Sequence, residues 1–293
     1  MAALELVVDR KQAGRTVKSF LKWELGLSTA LTNRLKRTET GLTVNGTRVF
    51  TNAVLREGDR LAVDLDAAER TAGLTPAPMD LDIVYEDEHL LVVNKPAPLD
   101  SIPSSLVPGG PSLAAGLLHY LGNGASVHLV NRLDKGTTGL AAAAKNAYVH
   151  DRLRRQLHTE AFCRTYLAVC LGAPENPDGR IEQPIGRATG SAIRRQIAPD
   201  GKPAITDYRV LAQRGIYSLV ELTPLTGRTH QLRVHMAAAG SPLVGDWLYG
   251  TEDRNLILRP ALHAARLELA HPVTGERLRL DAPMPEDMRQ FFP

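Results

Sequence analysis

After residue 80 the chain is dominated by short strand-like runs, and no strand–helix–strand unit repeats. A doubly wound parallel sheet needs that repeat. The pattern therefore predicts an α+β domain on a mixed, mainly antiparallel sheet. LDIVYEDEHLLVVNKP reads as two strands around an acidic turn, and LAAAAK, FCRTYLAVCLG and YSLVELTP as further strands. RIEQPIGRATGSAIRRQIAPDGKPAITDYRVL suggests extended strands joined by turns, and LHAARLELAHPVTGERLRL an antiparallel hairpin. Helices are few. LAAGLLHYL carries Leu113, Leu117 and Leu121 along one side, and NAYVHDRLRRQLHTEAF and THQLRVHMAAAG are the other candidates.

The first 68 residues differ in pattern. A strand-like ELVVD precedes VKSFLKWELGL, where Val17, Phe20, Leu21 and Leu25 recur at helical spacing and Gly26 suits the end. STALTNRLKRTETG predicts a second helix with Ser28 as N-cap and Leu31 and Leu35 on one face; Arg34, Lys36 and Arg37 extend from the others. LTVNGTRVF is a strand, an Asn-Gly turn and a strand, and REGDRLAVDL adds a turn and a last strand. Residues 1–68 thus form a small α+β module, residues 69–80 a linker rich in Ala, Thr and Pro, and residues 81–293 the larger domain.

Charge adds one hint. Residues 1–66 hold 11 Lys and Arg against 8 Asp and Glu, while residues 67–293 hold 24 of each, so the surplus lies wholly in the first module. Such a bias suits a polyanion but also fits a solvated basic surface. No 20-residue apolar run is present, and Glu5 and Asp9 interrupt the N-terminal stretch, so neither a membrane span nor a signal peptide is expected. Cys163 and Cys170 have no paired spacing, which points to a reducing cytoplasm and away from a cysteine metal site.

Several chemistries lack their parts. GxGxxG, the P-loop pattern and a nucleophile elbow are all absent. His230 and His235 are five apart with no glutamate between them, so zinc chemistry has no support and both are as readily structural. HLVNRLDKGTTGL holds one acid, Asp134, which taken alone reads more readily as a turn or cap residue than as a catalyst. An ionised carboxylate can nevertheless act as a nucleophile, and Gly136 and Gly139 allow unusual backbone angles or close approach. Arg132 could approach nucleic-acid phosphate or enter a duplex. Tyr166 could be a half-buried strand residue or an aromatic platform for a base. Arg228 precedes a helix that carries Arg233; one basic residue there could pair with an acid from elsewhere or face solvent.

These residues resemble the RluA/RluD-type family of RNA pseudouridine synthases. NRLDKGTTGL resembles the family's HRLDxxTSGL motif, and TGRTHQLRVHMAAAGSPLVGDWLYG its GRTHQIRVHxxxxGxPxxGDxxYG motif. HLLVVNKP is similar to its early strand motif and FCRTYLAVCLG to its tyrosine segment, so the likeness runs from about Leu81 to Leu280. Residues 14–66 resemble the alpha-L type RNA-binding domain, with GRTVKSFL in place of the usual Arg-Leu-Asp at its first helix. Asn131 stands where the family usually has histidine, and Thr138 where it commonly has serine. The usual histidine-containing segment and Pro-Gly lead-in before the motif are missing.

The resemblance implies a pseudouridine synthase fold with an appended α+β RNA-binding domain. It implies isomerisation of uridine to pseudouridine in structured RNA, without cofactor or metal. Asp134 would be the required catalytic residue, Arg228 the arginine paired with it, and Tyr166 the tyrosine stacked on uracil. Arg132 would displace the target base, and Asn131, Thr138, Arg34, Lys36 and Arg37 would contact RNA. The expected substrate is large-subunit (23S) ribosomal RNA and the expected state a cytoplasmic monomer. A transfer RNA synthase, an inactive RNA-binding or ribosome-assembly factor and an unrelated hydrolase are the competing expectations.

Overall fold

A computed structural model describes residues 3–64, 74–103, 110–122, 125–157 and 159–293. The N-terminal unit runs β1 (Ala3–Val7), α1 (Val17–Trp23), α2 (Thr29–Leu35), β2 (Leu42–Val44), β3 (Thr47–Arg48) and β4 (Arg60–Asp64). Its four strands pair antiparallel in the order β1-β4-β2-β3. The larger part continues with β5 (Ile83–Glu86), β6 (Leu90–Lys95), α3 (Leu113–Leu121), β7 (His128–Leu129), β8 (Thr138–Ala144) and α4 (Ala147–Gln156). Next come β9 (Phe162–Leu171), β10 (Asp178–Glu182), β11 (Ile185–Arg187), β12 (Arg195–Ile197), β13 (Ile205–Arg214) and β14 (Tyr217–Pro224). The last elements are α5 (Gln231–Ala238), β15 (Leu262–Ala270), β16 (Arg277–Asp281) and α6 (Glu286–Arg289).

The large sheet has ten strands, ordered β10-β13-β14-β9-β15-β8-β6-β5, with β16 on β15 and β7 on β8. One pairing, β8 with β15, is parallel; the rest are antiparallel, as the strand-rich pattern predicts. At that parallel junction Gly139 adopts φ 108°, and a Cβ there would fall 2.3 Å from the Ala264 carbonyl oxygen. Only a residue without a side chain allows the approach.

Both faces of the sheet centre are covered, which explains continuous apolar runs where alternation would otherwise be seen. Leu90 and Val92 of β6 face the core under α4, with Ala142 and Ala144 of β8, while Leu91, Val93, Ala141 and Ala143 face the core formed with α3 and α5. Small alanines on β8 leave room for helices on both sides. The core of the N-terminal unit, including Phe20, Leu21, Leu31 and Leu35, is continuous with the α4 side. Ser28, whose hydroxyl caps α2 by accepting the Leu31 N–H, also donates its own N–H to Asp151 of α4.

Two local expectations change. The second helix stops at Leu35, because the Thr38 hydroxyl and N–H both donate to the Leu35 carbonyl; Lys36 and Arg37 therefore sit on a turn. The expected linker falls partly outside the described residues. Its later half, residues 74–80, lies against α3: Ala77 donates to the Ala115 carbonyl, and Met79 packs where Gly116 leaves space. No helix among the described residues is long and apolar enough to cross a membrane.

Candidate active site

The loop between β7 and β8 carries Arg132 and Asp134 into an open cleft of about 760 Å³, between the sheet and the start of α5. It is fixed on both sides of the acid. Before it, Asn131 donates from its amide to the Leu140 carbonyl and accepts the Ala142 N–H, and the Leu133 N–H and carbonyl both bond the Ser101 hydroxyl. After it, the Lys135 carbonyl accepts from the Leu99 N–H, and the Gly136 carbonyl from Arg259. Gly136 permits a close approach, since a Cβ there would lie 2.9 Å from Pro260. Bonds at positions 131, 133, 135 and 136 leave Asp134 little freedom except at its side chain, which is 30% exposed.

Lys95, at the end of β6, is the hidden part of this scaffold. Its ammonium is buried and donates to the carbonyls of Pro96, Leu99 and, at 3.4 Å, Lys135. Burial draws its pKa down to about 8, against the pull of Asp134 and Asp100.

On the opposite wall Arg233, on the first turn of α5, forms a two-bond pair with Asp246: Nε to Oδ2 and Nη2 to Oδ1, both 2.7 Å. Its third nitrogen, Nη1, points to Asp134 Oδ2 at 3.6 Å. Asp246 is fully buried and also accepts the N–H groups of Leu248 and Tyr249. Hydrogen bonding to Asp246 holds the Arg233 pKa above its usual value against the opposing effect of burial. A guanidinium locked by one carboxylate thus offers a fixed cationic edge to another. His230 is also near, its Nε2 4.0 Å from Asp134 Oδ2.

The sequence-based pairing of Arg228 with Asp134 is corrected. Arg228 lines the same cleft, but its Nε donates to the Pro203 carbonyl, and its N–H is taken by the Gln231 side chain. It sits in the turn before α5, whereas Arg233 lies inside the helix on its buried side. The overlooked signal was an arginine inside the apolar run QLRVHM, matched by an aspartate inside SPLVGDWL. Two charges in apolar settings need each other.

Tyr166, on the central strand β9, is buried at the cleft floor; burial raises its pKa, and its hydroxyl has no partner among the described residues. Arg132 is exposed at the rim and makes no ion pair among the described residues. Asn131 and Thr138 were expected to meet RNA; Asn131 borders the cleft with its side chain committed to the protein, and Thr138 lies outside the cleft lining. Asn131 spends its amide on β8, and the Thr138 hydroxyl lies 2.9 Å from His263 Nδ1, away from the cleft. Arg34, Lys36 and Arg37 are outside the cleft lining, on the N-terminal unit. His235 is structural: it is fully buried, and its ring bonds the Gln183 carbonyl and the Thr206 hydroxyl. No cluster of metal-binding side chains occurs among the described residues.

Residues 89–238 match a family model described as RNA pseudouridylate synthase. The chain is 42% identical over 280 residues to the uncharacterized RNA pseudouridine synthase YjbO of Bacillus subtilis (strain 168), covering 94% of this chain and 98% of that one. It is 38% identical over 251 residues to ribosomal large subunit pseudouridine synthase D of Escherichia coli (strain K12), covering 80% and 76%. Among solved structures, human RNA pseudouridylate synthase domain containing 1 superposes with a TM-score of 0.58 at 30% identity, over 70% of this chain and 83% of that one.

Proposed function

The chain belongs to the RNA pseudouridylate synthase family, and we propose that it isomerises a uridine of large-subunit ribosomal RNA with Asp134 as the reacting side chain. One observation carries the choice of residue. Asp134 is held at the cleft by bonds to both of its flanks, yet its carboxylate has no hydrogen bond among the described residues, with Arg233 at 3.6 Å and His230 at 4.0 Å beside it. An acid whose backbone is fixed and whose oxygens are unused is arranged for a substrate.

In the reaction the C1′–N1 bond breaks, the uracil turns in place, and C5 joins C1′. The proton lost from C5 equals the one gained at N1, so no cofactor enters the balance. Asp134 would act at the nucleotide, by adding to it or by attacking or deprotonating its sugar. Arg233 orients the carboxylate. Tyr166 supplies an aromatic wall for the turning base. The target must leave its stack first, and Arg132, at the rim and without an ion pair among the described residues, would fill the gap it leaves. Residues 1–68 would add an RNA-binding module through Arg34, Lys36 and Arg37, joined through residues 69–80 to a catalytic domain of residues 81–293. The ribosomal choice rests on the name of the Escherichia coli relative and on that basic module. The protein would act as a cytoplasmic monomer.

The test is Asp134→Asn, assayed for pseudouridine in 23S RNA taken from cells lacking the gene. The expected loss is at least about 10³-fold in kcat, the scale for removing one essential group. Undiminished product would remove Asp134 from the chemistry. Wild-type activity on transfer RNA alone would overturn the choice of substrate.

A further inference from the structure

His230 stands beside Asp134 without a part in the reaction as derived. It occupies the residue before α5 in a left-handed conformation, φ 57° and ψ 18°, and its side chain makes no capping bond. Side chains other than glycine's adopt that backbone at a cost, and such residues gather at functional sites. Here the turn directs the imidazole between two partners. Nδ1 lies 2.8 Å from the Tyr249 hydroxyl, and Nε2 faces Asp134 Oδ2 at 4.0 Å.

The Tyr249 hydroxyl defines which ring nitrogen holds the proton. It accepts the Arg195 N–H from β12 at 2.8 Å, so its own hydrogen needs an acceptor, and His230 Nδ1 is the one within reach. Nδ1 is then unprotonated and the hydrogen sits on Nε2, aimed at Asp134. Tyr249 is itself held edge-on to the imidazole and lies under the Arg233 guanidinium. The charged groups facing the ring are Asp134, Arg233, Asp246 and Arg195; burial, joined by the two arginines, outweighs the two carboxylates and lowers the pKa of His230, which favours the neutral ring.

We propose that His230 is a positioning residue for Asp134: its Nε2–H, fixed by Tyr249, closes the 4.0 Å gap and hydrogen-bonds the carboxylate when RNA is bound. Arg233 and His230 then hold one Asp134 oxygen from two directions, leaving the other for the nucleotide. The β11–β12 hairpin takes part through the Arg195 backbone, so the orientation of the acid depends on a segment far from it in sequence. All of this rests on Asp134 being the reacting group.

The experiment compares His230→Ala, His230→Asn, His230→Gln and Tyr249→Phe in the full chain, with Asp134→Asn alongside, on 23S RNA transcribed without modification. Asparagine suits the left-handed backbone, but its amide reaches only the Nδ1 position. The glutamine amide reaches the Nε2 position and restores the donor. Expected are losses in kcat of about 10- to 100-fold for the alanine and asparagine variants, with KM within about threefold, on the scale for losing a hydrogen bond that orients a functional group. Glutamine should recover most of the rate, and phenylalanine at 249 should cost a few-fold. Nitrogen NMR of labelled histidine should show His230 protonated on Nε2 in the wild type, and a mixture of tautomers in Tyr249→Phe. Wild-type kcat in His230→Asn, no recovery in a folded His230→Gln, or an Nδ1–H tautomer in the wild type would each overturn the proposal. An active Asp134→Asn would instead overturn the assignment of the acid itself.

Discussion

Replacing Asp246 by alanine should cost both stability and rate, for separable reasons. The carboxylate is 0% exposed and makes two 2.7 Å bonds to Arg233, itself 6% exposed, and it also accepts two backbone N–H groups. Removing it strands a buried guanidinium. Breaking such a pair from one side costs about 3–5 kcal/mol, and the two amides lose a partner as well. Taking about 4 kcal/mol, and about 2–4 °C per kcal/mol for a chain of this size, the melting temperature should fall by roughly 8–16 °C. The freed arginine then has Asp134 as its nearest carboxylate, 3.6 Å away, and would close on it and turn it from the substrate. Denaturant unfolding and single-turnover kinetics measure the two effects. The double variant Asp246→Asn with Arg233→Met removes both charges, and should regain most of the stability without regaining the rate. A single Asp246→Ala variant within about 1 kcal/mol of wild type would refute the buried-pair account. A fast double variant would refute the role of Arg233.

Gly139→Ala places a Cβ 2.3 Å from a backbone oxygen at φ 108°, and neither strand can yield without breaking the parallel pairing of β8 with β15. A loss of at least about 2 kcal/mol is expected in denaturant unfolding, and an unchanged midpoint would contradict the close approach. Lys95 carries a pH signature: its folded pKa, about 8, lies below the ordinary 10.5. The unfolded chain therefore binds more protons between those values, and the contribution of the lysine, fully present above the unfolded pKa, is lost as pH falls through the folded one. The difference amounts to about 3 kcal/mol. Compared with Lys95→Met, the wild type should gain stability by that order between neutral pH and pH 10.5, and a constant difference would refute it.

The strands were legible because they are apolar runs of strand length, and the assembly of most of those after residue 80 into one mixed sheet followed from the missing strand–helix repeat. Their order was not legible. The parallel contact of Thr138 with His263 joins segments far apart in sequence, and no local pattern encodes it. Boundaries shifted where a single side chain intervened. Thr38 ends α2 by bonding back to Leu35, so Lys36 and Arg37 leave the helix on which their spacing placed them.

In the cleft, residue type was easier to read than partnership. Asp134, Tyr166 and Arg132 were named from motifs, and the structure brings them to one cleft. Arg228 and Arg233 are both arginines in one motif, and only the start of α5 between them decides which points inward. The departure at Asn131 bears on loop packing or on substrate preference, and its side chain serves the packing: the amide accepts from Ala142 and donates to Leu140, extending the β8 pairing that β7 and Val130 make. Any side chain there must satisfy those two backbone groups, since leaving a buried pair unmet costs more than a surface contact returns. The same holds for Ser101 and Lys95, which bond the carbonyls of Leu133 and Lys135 from a segment more than thirty residues away. The acid is thus visible in the chain because its chemistry sits in one residue. Its placement was hidden because it is shared among backbone bonds from β6, β8 and Arg259, each made by a residue that looks ordinary in its own stretch.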